Sequence, residues 1–425
     1  MNLTAGPPLG HDESAFAVLA RAGAANAGGW LHRSRGLVEL ARVGVALGGS
    51  DWQVRLVSAV LGLGVVLAVF ALGRAVFSAR TGAWAAAVLA GAHPMVIRNA
   101  ELLSDLPSTA CVLAGLAVLA GELARAGGPR GRIALAAPAF AAALYLRYAS
   151  APVIAIAGLV ALALWWRPIA ARPWPVVATA AGFTALMVPH IVYSLHVTGE
   201  VLGVLQASAG TPYRAYWGAG LVTYLTANPF AYYGALVAPV MIAAVIGLVR
   251  RLRSRGAWLL ASVAFGQLIA IGIQSHAQPR YVFIAVALLV VLGVEALRSL
   301  ARPRLALAAV AAAWLGVAVV AIPYDRSIAQ SRETILAAAS QIRADHGDRP
   351  CMLFAPKVPQ LMWYSRCFGL LTASVGPKSF NPGYQNYLVS TPYAPLDGPA
   401  LAAANHLTAV ELPTGDPRAR VWRVR

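Results

Sequence analysis

The chain is short of charge. Only 12% of its 425 residues are charged, 16 of them acidic, and its lysines are confined to Lys357 and Lys378. A soluble globular domain carries a charged fraction of about a quarter, so with 59% hydrophobic residues this chain reads as an integral membrane protein. Its apolar stretches lack the strict alternation of membrane barrel strands, which leaves helices as the spanning elements. HExxH, Walker A, GxSxG and clustered CxxC patterns are all missing, and with them several hydrolase and nucleotide-driven chemistries. Cysteines number three. Cys111 falls inside an apolar run and reads as packing, while Cys351 and Cys367 lie in the tail, where a disulfide in an oxidising compartment and two buried thiols both stay open. The first fifty residues show no continuous apolar run behind a basic start, the pattern of a cleavable signal peptide. There is no internal repeat.

Arginine is what the chain has instead, and it sets the net charge of +18. In a soluble protein that balance would suggest nucleic acid. Here the arginines sit in short connections between apolar segments, so the bilayer is the expected partner and nucleic acid is not. Apolar runs of spanning length, 17–25 residues, predict ten spans at 55–77, 82–97, 106–124, 132–147, 150–166, 174–195, 230–249, 256–275, 281–298 and 305–322. One set of connections holds Arg74, Arg80, Arg125, Arg130, Arg132, Arg167, Arg172, Arg250, Arg251, Arg253, Arg255, Arg298, Arg302 and Arg304; the alternate set holds only Arg98, Arg147, Arg214 and Arg280. The positive-inside rule then puts the first set in the cytoplasm, and both the N-terminal segment and the tail outside a plasma (inner) membrane. The tail passes from "SRETILAAASQIRADHG", with helical spacing, to short β-type runs such as "PCMLFA" and "NYLVSTP". The expected organisation is an external first segment 1–54, a helical membrane domain 55–322 and a small external α/β domain 323–425.

Scarce polar residues gather at four external places. In "LGHDESAF", residues 9–16, Asp12 and Glu13 stand before a run whose Phe16, Leu19 and Ala20 spacing predicts a helix lying along the membrane interface; Asp12 could equally cap that helix. In "RNAELLSDLPS", residues 98–108, Glu101 and Asp105 share a connection with Arg98, and Asp105 could cap the next helix, with Pro107 in its first turn. In "LYLRYAS", Arg147 sits in a connection too short for a solvated loop, where it either snorkels or meets a headgroup. In "IQSHAQPRYVF", residues 273–283, His276, Gln278, Arg280 and Tyr281 crowd one turn; guanidinium binds phosphate through paired donors, and an aromatic and basic membrane anchor is the alternative. The long connection 196–229 adds Tyr213, Arg214, Tyr216, Trp217 and Tyr224, an interface belt or a stacking surface for sugar.

The "DE" pair before a helix running to "GGW", the acid in "ELLSDLPSTA", "LYLRYAS" and "HAQPRY" together resemble the polyprenyl-phosphate-dependent GT-C glycosyltransferases. The likeness is greatest to the family 39 type that includes protein O-mannosyltransferases and aminoarabinose transferases, and it covers roughly residues 10–300. The resemblance implies that Asp12 is the first-loop catalytic acid with Glu13 its neighbour, that Asp105 is the second-loop acid, and that Arg280 and His276 meet the lipid phosphate. Such enzymes usually carry a transmembrane helix ahead of the "DE" loop, and this chain begins eleven residues before Asp12, so an upstream helix is expected to be missing. The implied fold is an all-α GT-C-like membrane domain of about ten helices. The implied activity is transfer of a sugar from a polyprenyl-phosphate donor to an external acceptor hydroxyl on a glycan, lipid or protein, with inversion. On that chemistry Asp12 is the general base, and Arg280, joined by Arg147 or Arg98, steadies the departing phosphate. Glu13 and Asp105 would orient the acceptor, hold Asp12 or help coordinate a divalent cation; no metal is required. A multi-pass transporter or flippase, or a non-catalytic relative of the same fold, are the alternatives. A transporter would show ionisable groups at mid-membrane, whereas here they fall near span ends, His190 beside Pro189 excepted.

Overall fold

The computed structural model describes residues 7–22, 33–125, 128–209, 218–226, 237–274, 278–300, 303–372, 379–392 and 394–425. His276, Tyr213, Arg214, Tyr216 and Trp217 lie outside them. In chain order the helices are α1 (His11–Ala22), α2 (Arg35–Ala46), α3 (Asp51–Val76), α4 (Ala79–Ala90), α5 (His93–Asn99), α6 (Asp105–Leu123), α7 (Ala136–Leu146), α8 (Ala151–Ala171), α9 (Trp174–Thr198), α10 (Gly203–Ala209), α11 (Ala219–Thr226), α12 (Val237–Arg250), α13 (Arg255–Gln274), α14 (Phe283–Arg298), α15 (Pro303–His346), α16 (Val358–Ser365) and α17 (Gly398–Ala404). The strands are β1 (Cys351–Ala355), β2 (Phe368–Leu371), β3 (Gln385–Ser390), β4 (Ala409–Leu412) and β5 (Arg420–Val424). Residues cluster into two units, a helical one formed by Gly28–Leu40 and Leu56–Val320 and a mixed one formed by Met1–Ala27, Ala41–Arg55 and Ala321–Arg425. Residues 1–54 are thus divided between the two.

Among the described residues six helical segments are long and apolar enough to cross a membrane: Asp51–Val76, Asp105–Leu123, Tyr148–Ala171, Trp174–Thr198, Arg255–Ile273 and Arg280–Arg298. The expected span 82–97 is not one helix. It divides at Gly91 and Ala92, and α5 restarts with a proline in its first turn, where the missing N–H costs nothing. The expected span 132–147 opens with a 3-10 turn over Gly131–Leu135. The expected break between 305–322 and the helix of the tail is absent, because α15 stays helical through position 323 to His346.

At the centre of the helical unit lies α14, buried from Phe283 to Val294. It packs against α12, α13 and α4, and glycine permits the closest approach: a Cβ on Gly293 would collide with the Val240 carbonyl oxygen. At one end of this bundle Glu295 accepts from Arg251 at 2.6 Å and from the Thr81 hydroxyl at 2.7 Å, so a scarce acid ties three segments together.

The mixed unit holds a five-stranded sheet in the order β2-β1-β3-β5-β4, in which β2, β1 and β3 are parallel and β5 is antiparallel to both of its neighbours, β3 and β4. Alternation along the strands makes two cores. Leu353, Tyr387, Val389 and Val421 meet Ile335, Ala338 and Ile342 of α15 on one face, while Phe354, Leu388 and Trp422 meet Ala402 of α17 on the other. Cys351 and Cys367 form a disulfide between the start of β1 and the approach to β2. Helix α1 departs from expectation. Its residues from Glu13 to Ala20 are all buried, so it is enclosed on every side rather than lying with one face on an interface; small Ala, Ser and Val side chains make that enclosure feasible.

Candidate active site

Asp105 opens α6 and is buried. It does not serve as the helix cap: the N-cap position is Ser104, whose side chain makes no capping bond, and the Asp105 carboxylate instead accepts from Arg147. Arg147 closes α7 in an extended conformation, φ −156° and ψ 113°, which turns its side chain out of the helix path. A guanidinium so paired, with a side chain only 15% exposed, is not snorkelling. The Arg147 guanidinium also lies 5.0 Å from the ring centroid of Tyr281, and the Arg280 guanidinium lies 5.5 Å from the same ring. Arg280 donates from Nε to Gln278 Oε1 at 2.7 Å. The turn that carries them is pinned on both sides. Tyr224 donates to the Gln278 carbonyl at 3.1 Å, and Gln267 donates to the Tyr281 carbonyl at 2.9 Å. Below the ion pair, the hydroxyls of Ser108 and Ser150 meet at 2.6 Å and fasten α6 to the start of α8.

Five predicted residues are therefore brought together, namely Asp105, Arg147, Gln278, Arg280 and Tyr281. Arg98 and Glu101 form a separate pair at 2.5 Å, with Glu101 buried. Beside Arg147 lies a cluster the sequence reading passed over. The Arg35 backbone N–H donates to the Tyr148 hydroxyl at 3.2 Å, the Arg35 guanidinium covers Tyr193 at 4.4 Å, and the Tyr148 ring stands 5.1 Å from that of His190. Only the Pro189–His190 pair hinted at it.

Asp12 and Glu13 belong to the mixed unit. Asp12 is half-buried in the first turn of α1, whereas Glu13 is buried and fully engaged. One Glu13 oxygen takes Arg55 Nε at 2.7 Å; the other takes Arg55 Nη2 at 3.0 Å, Arg332 Nη1 at 3.3 Å and the Gly10 N–H at 2.6 Å. Burial pushes the Glu13 carboxyl up, but Arg55, then Arg332 and the Gly10 amide outweigh it and hold it below the ordinary carboxylate range. The two arginines also reach the Pro7 and Pro8 carbonyls, and Gln360 and Tyr364 hold Leu9 through its carbonyl and its N–H. Glu13 thus locks the segment that carries Asp12 in place. Arg55 and Arg332, its partners, were not among the predicted residues; two adjacent acids in a sequence give no sign of which of them is buried or which distant cation it will meet.

A divalent cation does not fit at Glu13, whose two oxygens are both taken by guanidinium groups, so that a cation would have to displace a positive charge to bind; at Asp105 the oxygen Oδ1 is taken by Arg147. His346, Cys351 and Cys367 do lie with their ligand atoms within 4.8 Å of one another, but both sulfurs are consumed in the disulfide and offer no thiolate.

Residues 40–193 match the sequence model of the dolichyl-phosphate-mannose-protein mannosyltransferase family. Comparison with curated proteins by sequence gives no significant match. Among solved structures, ArnT from Cupriavidus metallidurans in the apo state is similar with a TM-score of 0.69 at 17% identity, over 99% of this chain and 95% of that one. The same protein bound to undecaprenyl phosphate gives 0.68 at 16% identity with the same coverage. The archaeal oligosaccharyltransferase AglB from Archaeoglobus fulgidus, in complex with an inhibitory peptide and a dolichol-phosphate, gives 0.55 at 13% identity, over 91% of this chain and 66% of that one. The chain therefore has the GT-C-like membrane fold that the sequence resemblance implies, with the small α/β domain expected from the pattern of the tail.

Proposed function

We propose that this protein is a membrane glycosyltransferase that moves a sugar from a polyprenyl-phosphate donor to an acceptor hydroxyl outside the plasma membrane. One observation carries the reading: two guanidiniums, Arg147 and Arg280, converge on Tyr281, with Arg147 held by the buried Asp105. The likeness in fold to ArnT bound to undecaprenyl phosphate supports it.

The lipid phosphate is already a good leaving group, so the protein has two tasks. As the sequence resemblance implies for Asp12, its carboxylate takes the proton of the acceptor hydroxyl as the hydroxyl oxygen bonds to the anomeric carbon. The bond from that carbon to the phosphate oxygen breaks with its electron pair leaving on the phosphate, and Arg280 and Arg147 stabilise the charge that grows there, a contribution of about 3–4 kcal/mol per preorganised donor. Displacement from the opposite face inverts the anomeric centre. Asp105 is then a positioning residue for Arg147, and Glu13 one for Asp12. The sugar is a hexose or pentose, and the acceptor is a glycan, lipid or protein.

Membranes carrying the wild-type chain, fed labelled polyprenyl-phosphate sugar, should yield labelled acceptor. Asp12→Asn should abolish transfer while leaving expression and donor retention largely intact. Near-normal turnover in that variant removes Asp12 from the base role; translocation of the lipid without transfer by the wild type overturns the enzyme reading itself.

A further inference from the structure

The mixed unit carries a second concentration of arginine, away from Glu13. Arg21 of α1 donates to the last carbonyls of α16, Met362 at 2.8 Å and Trp363 at 3.0 Å, and lies 4.7 Å over the Trp363 ring. Arg366, just past α16, has its guanidinium 5.7 Å from that ring. It sits at φ +68°, in the left-handed region that favours glycine, and is followed at once by the disulfide-bonded Cys367. Arg343 lies one helical turn before His346, whose imidazole contacts the Ser365 carbonyl at 2.8 Å, which brings Arg343 to the same end of α16.

No acid answers these three charges. Among the described residues none of the three takes part in an ion pair, and the remaining residues of the chain contain no Asp or Glu. The cations also act on one another: burial, then Arg366 and Arg343, lower Arg21 to about 10. The adjoining strand β2 is apolar and outward-facing. Phe368, Leu370 and Leu371 are 51%, 40% and 51% exposed at the sheet edge. An open apolar edge is a hazard in water, whereas beside unneutralised guanidiniums it matches the boundary between headgroup and acyl chain.

We propose that Arg21, Arg343 and Arg366, with the exposed face of β2, form a site for the phosphate headgroup of an anionic phospholipid, distinct from the donor-phosphate residues of the helical unit. The exposed guanidiniums of Arg343 and Arg366 supply the phosphate donors, Arg21, whose Nη atoms are held by the Met362 and Trp363 carbonyls, adds its charge, and Phe368, Leu370 and Leu371 enter the acyl region.

The test uses the full chain in detergent, with thermal unfolding followed as phosphatidylglycerol, phosphatidylcholine or inorganic phosphate is added. Phosphatidylglycerol should stabilise the wild type and phosphatidylcholine should not. Arg343→Gln/Arg366→Gln, both exposed changes, should need about 30-fold more phosphatidylglycerol for the same shift, at about 1 kcal/mol per arginine near a lipid surface. Phe368→Ser/Leu370→Ser should weaken the lipid response and leave any response to inorganic phosphate unchanged. Superimposable lipid curves for wild type and the arginine variant overturn the site, as does an equal response to phosphatidylcholine. Inorganic phosphate acting as strongly as the lipid, with β2 substitutions silent, overturns the lipid assignment in favour of a free phosphate. A lysine variant, Arg343→Lys/Arg366→Lys, keeps the charge and should retain most of the response; its loss together with a lowered midpoint before any addition would assign the arginines to folding alone and overturn the site.

Discussion

Replacing Glu13 by glutamine tests the lock on the Asp12 segment. The substitution keeps shape and one acceptor oxygen but removes the charge that faces Arg55 and Arg332, whose side chains are 4% and 12% exposed. Breaking a buried pair by removing one partner costs about 3–5 kcal/mol, since the other charge stays buried without compensation. With the amide still able to accept, the lower end applies. At roughly 2–4 °C per kcal/mol for a unit of this size, the unfolding midpoint should fall by about 6–12 °C. A double-mutant cycle with Arg55→Met should show coupling of about 2 kcal/mol or more, because methionine introduced alongside Glu13→Gln no longer strands an anion. The pH dependence gives an independent reading. A carboxyl held below its ordinary value stabilises the fold fully above that value, 4.5, and that stability is lost as the pH falls below it toward the depressed folded value. The wild type should therefore lose stability in that acid range along a limb that Glu13→Gln lacks. A variant that unfolds within about a degree of wild type, with no coupling to Arg55 and an unchanged acid limb, would refute the reasoning.

Three further outcomes follow from the packing. Arg147→Ala leaves the buried Asp105 without its counter-ion and should cost about 3–5 kcal/mol, read as a lowered unfolding midpoint, with Arg147→Lys recovering only part because a point charge cannot also cover Tyr281. Gly293→Ala drives a methyl against the Val240 carbonyl, and separating α12 from α14 should cost about 1–3 kcal/mol in a thermal scan. In His190→Phe an imidazole whose two nitrogens are buried without partners among the described residues is exchanged for a ring with nothing to satisfy. The midpoint should stay level or rise, and a marked fall would show that His190 has a bond this packing does not supply.

Much of the architecture was legible because it rests on sums over neighbouring residues. Long runs of Ala, Leu and Val announce helices such as α6, α9 and α13 wherever they fall, and the Pro and Gly of the tail mark off its strands. Local signals failed where a longer context overrode them. The expected span 305–322, set apart from the helix of the tail, is part of one helix, α15, and the amphipathic spacing of α1 suggested an exposed face that is buried.

The sequence by itself determined the class of protein and most of its long apolar helices, since hydropathy and charge are properties of each residue and its near neighbours. Which charge meets which was decided only by the tertiary structure. Glu13 finds Arg55 across 42 positions and Arg332 across 319, and Asp105 finds Arg147 across 42. Burial makes each of these acids take a cation, but only the path of the chain selects the one that arrives.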